Sequence, residues 1–291
     1  ITYGFVRCFR RTKNNDKRVK ENGPMAQTKA VAKAAKLDLA ILASDSKDAS
    51  GFGNLDMSRD VMIPYINILQ TTSPQLNPSK AEYVEGAKVG QFYNTVSQEV
   101  STSLNVIPVL YQLKYVEWKP RETGGGLVEM HDADSGILGK TTRDKVTYKD
   151  VLSNGNYIAT TAYHYVMVQN KDGNWSQAVI SMTSTQLKKS RRWNSLMLTQ
   201  KVEGPSGSFT PPTYAIIYKL STVSESNDRG SWFGYQVEKA GQVEDASIYN
   251  EAKLFSTAAS RGDVEAKPVV EGEPAKVAPQ SNKTESEDVP F

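Results

Sequence analysis

The end of the chain combines residue types that suit capture by another protein. Acidic side chains precede a proline and an aromatic residue that carries the terminal carboxylate: Glu285, Glu287, Asp288, Val289, Pro290 and Phe291. The aromatic ring can fill an apolar pocket, proline holds the approach extended, and arginine or lysine on a partner can pair with the acids. We therefore predict that residues 285–291 bind a partner protein. The alternative is a charged, disordered tail that only aids solubility.

Aromatic and basic side chains are interleaved through the central part of the chain, and together they suit binding of single-stranded nucleic acid. Bases stack on aromatic rings at about 1–3 kcal/mol each, while cations pair with the phosphates. The predicted DNA-binding residues are Lys114, Trp118, Lys119, Tyr163, Tyr165, Trp175, Lys188, Arg191, Arg192, Trp232 and Tyr235. The alternative for the rings is a core role, because β-barrels also bury tyrosine and tryptophan.

Two predicted elements would position the first candidates among these residues. Residues 105–119 alternate like a strand, which places Lys114 and Trp118 on one face. The other face reads as core: Ile107, Val109, Tyr111, Leu113 and Tyr115. Residues 184–201 have helical periodicity, and their basic side chains, Lys188, Arg191 and Arg192, fall at i, i+3 and i+4. We expect the opposite side of this helix, with Trp193, to pack on a sheet.

The remaining periodic segments predict a mainly β fold with flanking helices (α+β). Asp172-Gly173 joins strands at 157–168 and 175–182, and a second hairpin joins 214–222 to 231–237. Asp245 is placed to cap a final helix whose apolar residues repeat at helical spacing. Short strands with hairpins and one or two helices indicate a small β-barrel, for which the oligonucleotide-binding (OB) fold is the first candidate.

Charge is distributed unevenly along the chain. Residues 1–24 carry a net charge of +5, residues 261–291 carry −3, and the whole chain carries +3, which leaves +1 for the body between them. The body is therefore not basic as a whole. Any nucleic-acid surface has to be a local patch.

These changes of composition suggest four regions. Residues 1–24 are expected to be a basic leader outside the fold, with a phosphate-binding arm as the alternative. Residues 25–60 form an N-terminal helix or flexible segment, and residues 61–259 form the OB-like domain. Residues 260–291 form a disordered acidic tail that tethers the partner-binding tip.

Most enzyme and metal chemistries find no support in the residue types. Cys8 is the only cysteine, and His131 and His164 are the only histidines, so thiolate-metal sites are excluded. Acidic residues around His131 could hold a hard cation, but they lack calcium-loop spacing and read as a solvated turn. No nucleophile–base pair and no long apolar run stands out. We expect a cytosolic protein that is not an enzyme, uses no cofactor and does not enter a membrane.

The tip ending Asp288-Val289-Pro290-Phe291 resembles the C-terminal tip of single-stranded-DNA-binding (SSB) proteins of bacteria and their phages. The order of elements over 61–259 is similar to that of ssDNA-binding proteins of tailed phages, with Pro64-Tyr65-Ile66 early and Arg191-Arg192-Trp193-Asn194 late. This resemblance implies sequence-independent ssDNA binding in replication, recombination and repair. It also implies that the tip recruits a polymerase, helicase, primase or nuclease in the bacterial cytoplasm.

Two other functions remain open at this point, and so does the oligomeric state. A strand-annealing recombinase would also bind ssDNA but would assemble into rings or filaments. A phage structural or assembly protein would use a β-sandwich body and an acidic tail for assembly. A homo-oligomer is compatible with all three.

Overall fold

The computed structural model describes residues 60–228 and 230–266. These residues belong to the second of two compact units, which begins at residue 54. The predictions for the leader at 1–24, for the helix or flexible segment up to residue 59, and for the tail from residue 267 lie outside the described residues. The predicted tip at 285–291 therefore also lies outside the described residues.

The described residues are mainly β, as predicted, with two helices. The strands are β1 (Ile66–Ile68), β2 (Phe92–Asn94), β3 (Val100–Ser101), β4 (Leu104–Trp118), β5 (Leu127–Asp132), β6 (Thr142–Arg143), β7 (Asp150–Val151), β8 (Tyr157–Gln169), β9 (Trp175–Thr183), β10 (Val202–Gly204), β11 (Gly207–Phe209), β12 (Ile216–Asn227) and β13 (Gly230–Gln242). The helices are α1 (Leu187–Leu198) and α2 (Ala246–Arg261). Neither described helix has the length and apolar character needed to cross a bilayer.

One antiparallel sheet of eight strands dominates the body and curls into a half-barrel. Its strand order is β13-β12-β4-β8-β7-β6, with β5 beside β4 and β9 beside β8. The long pair β4–β8 is the centre of the sheet, because β4 pairs with β8 from Val106 to Trp118. The described residues also form two smaller sheets, β1-β2-β3 and β10-β11.

Strand β4 confirms the predicted strand but corrects part of its predicted alternation. Its register with β8 shifts between Pro108 and Leu110. Proline cannot donate a ladder hydrogen bond, and a bulge exchanges the two faces of the strand that follows it. Ile107 and Val109 are buried as predicted. Beyond the bulge the prediction fails, because Tyr111 is 37% exposed and Val116 is fully buried.

The two helices cover opposite faces of the sheet and build two hydrophobic clusters. Trp193 and Met197 of α1 pack with the cluster that contains Val166, Ile180 and Tyr218. The second cluster joins the buried side of α2 to the other face: Ala252, Phe255, Ala259, Val109, Tyr163 and Tyr165. The predicted cap of α2 is confirmed, since the carboxylate of Asp245 accepts a hydrogen bond from the backbone N–H of Ser247 at 2.7 Å.

Trp193→Ala should lower the free energy of unfolding by about 3–5 kcal/mol, because it leaves a cavity between α1 and the sheet. Trp193 has no exposed surface. Leu198→Ala is the matched control on the same helix. That side chain is 74% exposed. The control should change stability by no more than about 0.5 kcal/mol. Chemical denaturation measures both, and equal losses would contradict the packing of α1.

Candidate nucleic-acid interface

Three of the predicted stacking residues are core residues. Tyr163 and Tyr165 are each 2% exposed and Tyr235 is 4% exposed, so their rings offer no free face to a base. The hydroxyl of Tyr165 donates to Gln112 Oε1 at 3.2 Å, and the hydroxyl of Tyr235 donates to the Ile66 carbonyl at 3.2 Å. Both faces of the sheet are covered in this region. We therefore correct these three rings from a binding role to a packing role.

The predicted group on β4 and β9 is also not assembled as an open binding surface. The ammonium of Lys114 forms an ion pair with Asp132 on β5, which lowers the pKa of the Asp132 carboxyl. Trp118 and Trp175 are half-buried and pack against the cluster under α2. Lys119 is exposed just beyond the end of β4. A phosphate at Lys114 would have to compete with a carboxylate that is already in place.

A groove between α1 and the β12–β13 hairpin does bring predicted residues together. We call it the α1 groove, and it has a volume of about 590 Å³. Its walls hold Thr185, Lys188, Lys189, Arg192, Glu225, Ser226 and Trp232. Lys188, Arg192 and Trp232 are among the predicted DNA-binding residues, whereas Arg191 is exposed on α1 but does not line this groove.

The helical spacing of α1 produces the basic wall of this groove. Trp193 and Ser190 are buried against the sheet, which leaves the side chains of Lys188 and Arg192 exposed on the outer part of the helix. The hairpin supplies the opposite wall, because Glu225 of β12 pairs in register with Trp232 of β13. The aromatic ring and the cations come from elements about 40 residues apart in sequence.

Glu225 connects the two walls. Its Oε1 lies 2.6 Å from Lys189 Nζ, and its Oε2 accepts a hydrogen bond from Trp232 Nε1 at 3.0 Å. The hydrogen bond from Lys189 is the largest cause of the lowered pKa of this carboxyl, and bonds from Trp232 and Gln186 add to it. The ionised carboxylate holds the indole and one ammonium in place. Among the lining residues, three cations face this single acid, so the groove is net positive.

Comparison with known protein families gives a match over most of this body. A protein-family profile described as "Pam3 phage gp34-like protein" matches residues 31–265. The chain belongs to this phage protein family. The matched range of the gp34-like family includes the α1 groove and stops before the predicted tip at 285–291. No curated protein matches the chain, and no solved structure does.

The two histidines of this gp34-like chain lie in hydrogen-bonded surroundings. Burial lowers the pKa of His164 to about 3, so the ring is neutral, and its Nε2 lies 2.8 Å from Ser190 Oγ. His131 Nε2 lies 3.0 Å from Glu117 Oε2, and its Nδ1 lies 3.7 Å from Glu129 Oε1. These three residues are close enough to surround a cation. However, the ring already hydrogen-bonds Glu117 through Nε2, and Glu129 lies beyond hydrogen-bond distance of Nδ1.

Sequence reasoning missed Glu225 and Gln186. The sequence did not indicate which residues Glu225 contacts. Lys189 and Trp232 reach it only through the packing of α1 and the pairing of β12 with β13. The one signal was its place in a predicted hairpin that also carries Trp232. α1 itself contains no acidic residue, but a neighbouring strand supplies one.

Glu225→Gln should lower the free energy of unfolding at neutral pH by about 1 kcal/mol, because the amide loses the charged bond with Lys189. The folded state lowers the pKa of this carboxyl below its ordinary value of 4.5. The carboxylate therefore stabilises the folded state fully at pH values above that ordinary pKa. This contribution is lost as the pH falls through the folded-state pKa.

Denaturation of both proteins from pH 7 to about pH 3 should therefore show a stability difference that closes with acid. Glu203→Gln, on an exposed side chain of β10, is the matched control and should change stability by no more than about 0.5 kcal/mol. A difference that is the same at every pH would contradict the role of the Glu225 charge.

Proposed function

We propose that this phage protein binds single-stranded DNA in the α1 groove, largely without regard to sequence. The observation that carries the proposal is the meeting of Lys188, Arg192 and Trp232 in one concave surface. Cations that follow the phosphates and a ring on which a base can stack are the two requirements of sequence-tolerant single-strand binding. Because the body carries almost no net charge, a DNA-binding surface has to be a local basic patch, and the α1 groove is such a patch.

Each wall of the groove has a separate role in this proposal. Lys188 and Arg192 are exposed and pair with phosphates, which releases counterions and makes binding salt-dependent. Trp232 supplies the stacking surface, and its bond to Glu225 holds the ring in one orientation before a strand arrives. Paired bases of a duplex are stacked on each other, so this ring favours single strands.

The OB-like character of the body and the relation to SSB proteins belong to the same proposal. A curled antiparallel sheet with a helix across one face supports the first. The ending Asp288-Val289-Pro290-Phe291 supports the second. In this proposal the protein coats single strands in the cytoplasm of the bacterial host, and its tip recruits a polymerase, helicase, primase or nuclease.

Lys188→Ala and Arg192→Ala should each weaken binding to oligo-dT several-fold and should each reduce the slope of log K against log salt by about 0.7. Arg191→Ala is the matched control, because Arg191 is exposed on the same helix but lies outside the groove lining. Fluorescence titration at several salt concentrations measures all three. An equal effect of Arg191→Ala would contradict the groove and favour unspecific attraction to the helix.

Trp232→Ala should weaken the same binding by about 1–3 kcal/mol without changing the salt slope, because it removes stacking and no charge. Trp232→Phe keeps a ring and should retain most of the affinity. Full retention of DNA affinity by the alanine variant would show that Trp232 is not part of the site.

Two results with the wild type would favour the alternative functions. Rapid annealing of complementary strands would favour the recombinase, and no DNA binding would favour a structural protein.

Deletion of residues 285–291 should abolish binding of the chain to the recruited replication enzyme, because it removes the acidic groups and the terminal ring together. The same deletion should tighten ssDNA binding at low salt, because an acidic segment competes for a basic groove. A charge-preserving control, Phe291→Ala, should lose recruitment but keep the competition. Unchanged recruitment and unchanged affinity after the deletion would contradict the proposed role of the tip.

A further inference from the structure

A second cavity differs in chemical character from the α1 groove. We call it the amide pocket; it measures about 260 Å³ and is lined by uncharged polar residues, among them Asn67, Gln70, Gln75, Ser181, Thr183 and Gln186. Phe233 and Tyr235 contribute aromatic surface. None of the described residues that line it is an acid, a lysine, an arginine or a histidine. It is smaller than the roughly 300–1,000 Å³ of drug-sized ligand sites, so it suits a single ring system.

Two glutamines make the wall of this pocket rigid. Gln70 Nε2 donates to the Phe233 carbonyl at 2.9 Å, and the backbone N–H of Phe233 donates back to Gln70 Oε1 at 2.8 Å. Gln186 Oε1 accepts from the backbone N–H of Tyr235 at 3.0 Å. The side chains of Gln70 and Gln186 thus occupy hydrogen-bonding groups on the free edge of β13. Preorganised walls of this kind reduce the ordering cost of ligand binding.

Gly234 lies close to a side chain of the α1 groove and to a side chain of the amide pocket. A Cβ on this glycine would lie 2.5 Å from Glu225 Oε2 and 3.0 Å from Gln186 Nε2, so neither side chain could keep its position beside a larger residue. Glu225 lines the groove and Gln186 lines the pocket. The Gln186 side chain also helps to lower the pKa of the Glu225 carboxyl. Gly234 thus lies beside one side chain of the groove and one side chain of the pocket.

We infer that the amide pocket holds one unstacked nucleobase of a strand bound in the α1 groove, an inference that rests on the proposed function. Nucleobases are neutral, planar and edged with donors and acceptors, and asparagine or glutamine amides can match these edges with paired hydrogen bonds. Because Gln70 and Gln186 are engaged by the backbone of β13, this role falls to other amides of the lining. Gln75 lines the pocket and is only 6% exposed. Hydrogen bonds made away from bulk water discriminate more strongly between correct and incorrect partners. The strand is then bound without strict sequence dependence but with a preference for one base.

Affinities for oligo-dA, oligo-dC and oligo-dT of equal length test this inference. The wild type should separate its best and worst base by at least about 5-fold, as expected for one good paired contact. Gln75→Leu has a similar shape and lacks the amide, so it should remove the preference and leave the salt slope unchanged. Thr183→Val, at the exposed rim, is a second variant with little risk to folding. Gln177→Leu, on an exposed position of β9, is the matched control.

The outcomes separate this inference from the proposed function. Tight binding that depends on Lys188 and Arg192 but shows no base preference would overturn the pocket and leave the groove intact. Where the chain binds no oligonucleotide, a titration with adenosine, cytidine and thymidine followed by NMR decides the pocket alone. Saturable shifts that Gln75→Leu removes would support it, and no shifts with any nucleoside would overturn it.

Discussion

Burial of Trp193 against the sheet determines which residues of α1 are available to a ligand. The indole stacks on the His164 ring with centroids 4.5 Å apart and meets Tyr218 edge-on at 6.0 Å. Burial keeps His164 neutral, so no charge is placed beneath the helix. With this side of α1 committed to the core, helical geometry places Lys188 and Arg192 outward. The basic wall of the groove is thus a direct consequence of core packing.

Glu225 has the complementary effect on the facing wall. A groove of cations alone would attract phosphates but would leave its aromatic ring free to rotate. The carboxylate of Glu225 neutralises the charge of Lys189 through an ion pair, and its hydrogen bond from Trp232 holds the indole in place. Gly234 makes room for this arrangement and also brings Gln186 to the same place. The phage gp34-like body therefore joins a charged surface and an uncharged pocket along one strand, β13.

Local patterns in the sequence predicted much of this fold. The Asp172-Gly173 hairpin, the strand over β4, the helix α1 and the cap at Asp245 all depend on short-range signals, and the structure contains each of them. The side-chain phase of β4 failed beyond Pro108, because a bulge is a feature of pairing between two strands. Tyr163, Tyr165 and Tyr235 were assigned to binding because sequence does not show that helices cover both faces of the sheet. Glu225 and the amide pocket depend on contacts between distant segments, which periodicity does not reveal.

The most direct test of the account is the salt dependence of binding to ssDNA and to duplex DNA of equal length by the wild-type protein. A shaped groove with one oriented ring predicts a strong preference for the single strand that persists at high salt, because stacking is not screened. Its salt slope should correspond to a small number of phosphate contacts. Equal affinity for both forms, lost together as salt rises, would contradict the account and reduce the α1 groove to an unspecific basic patch.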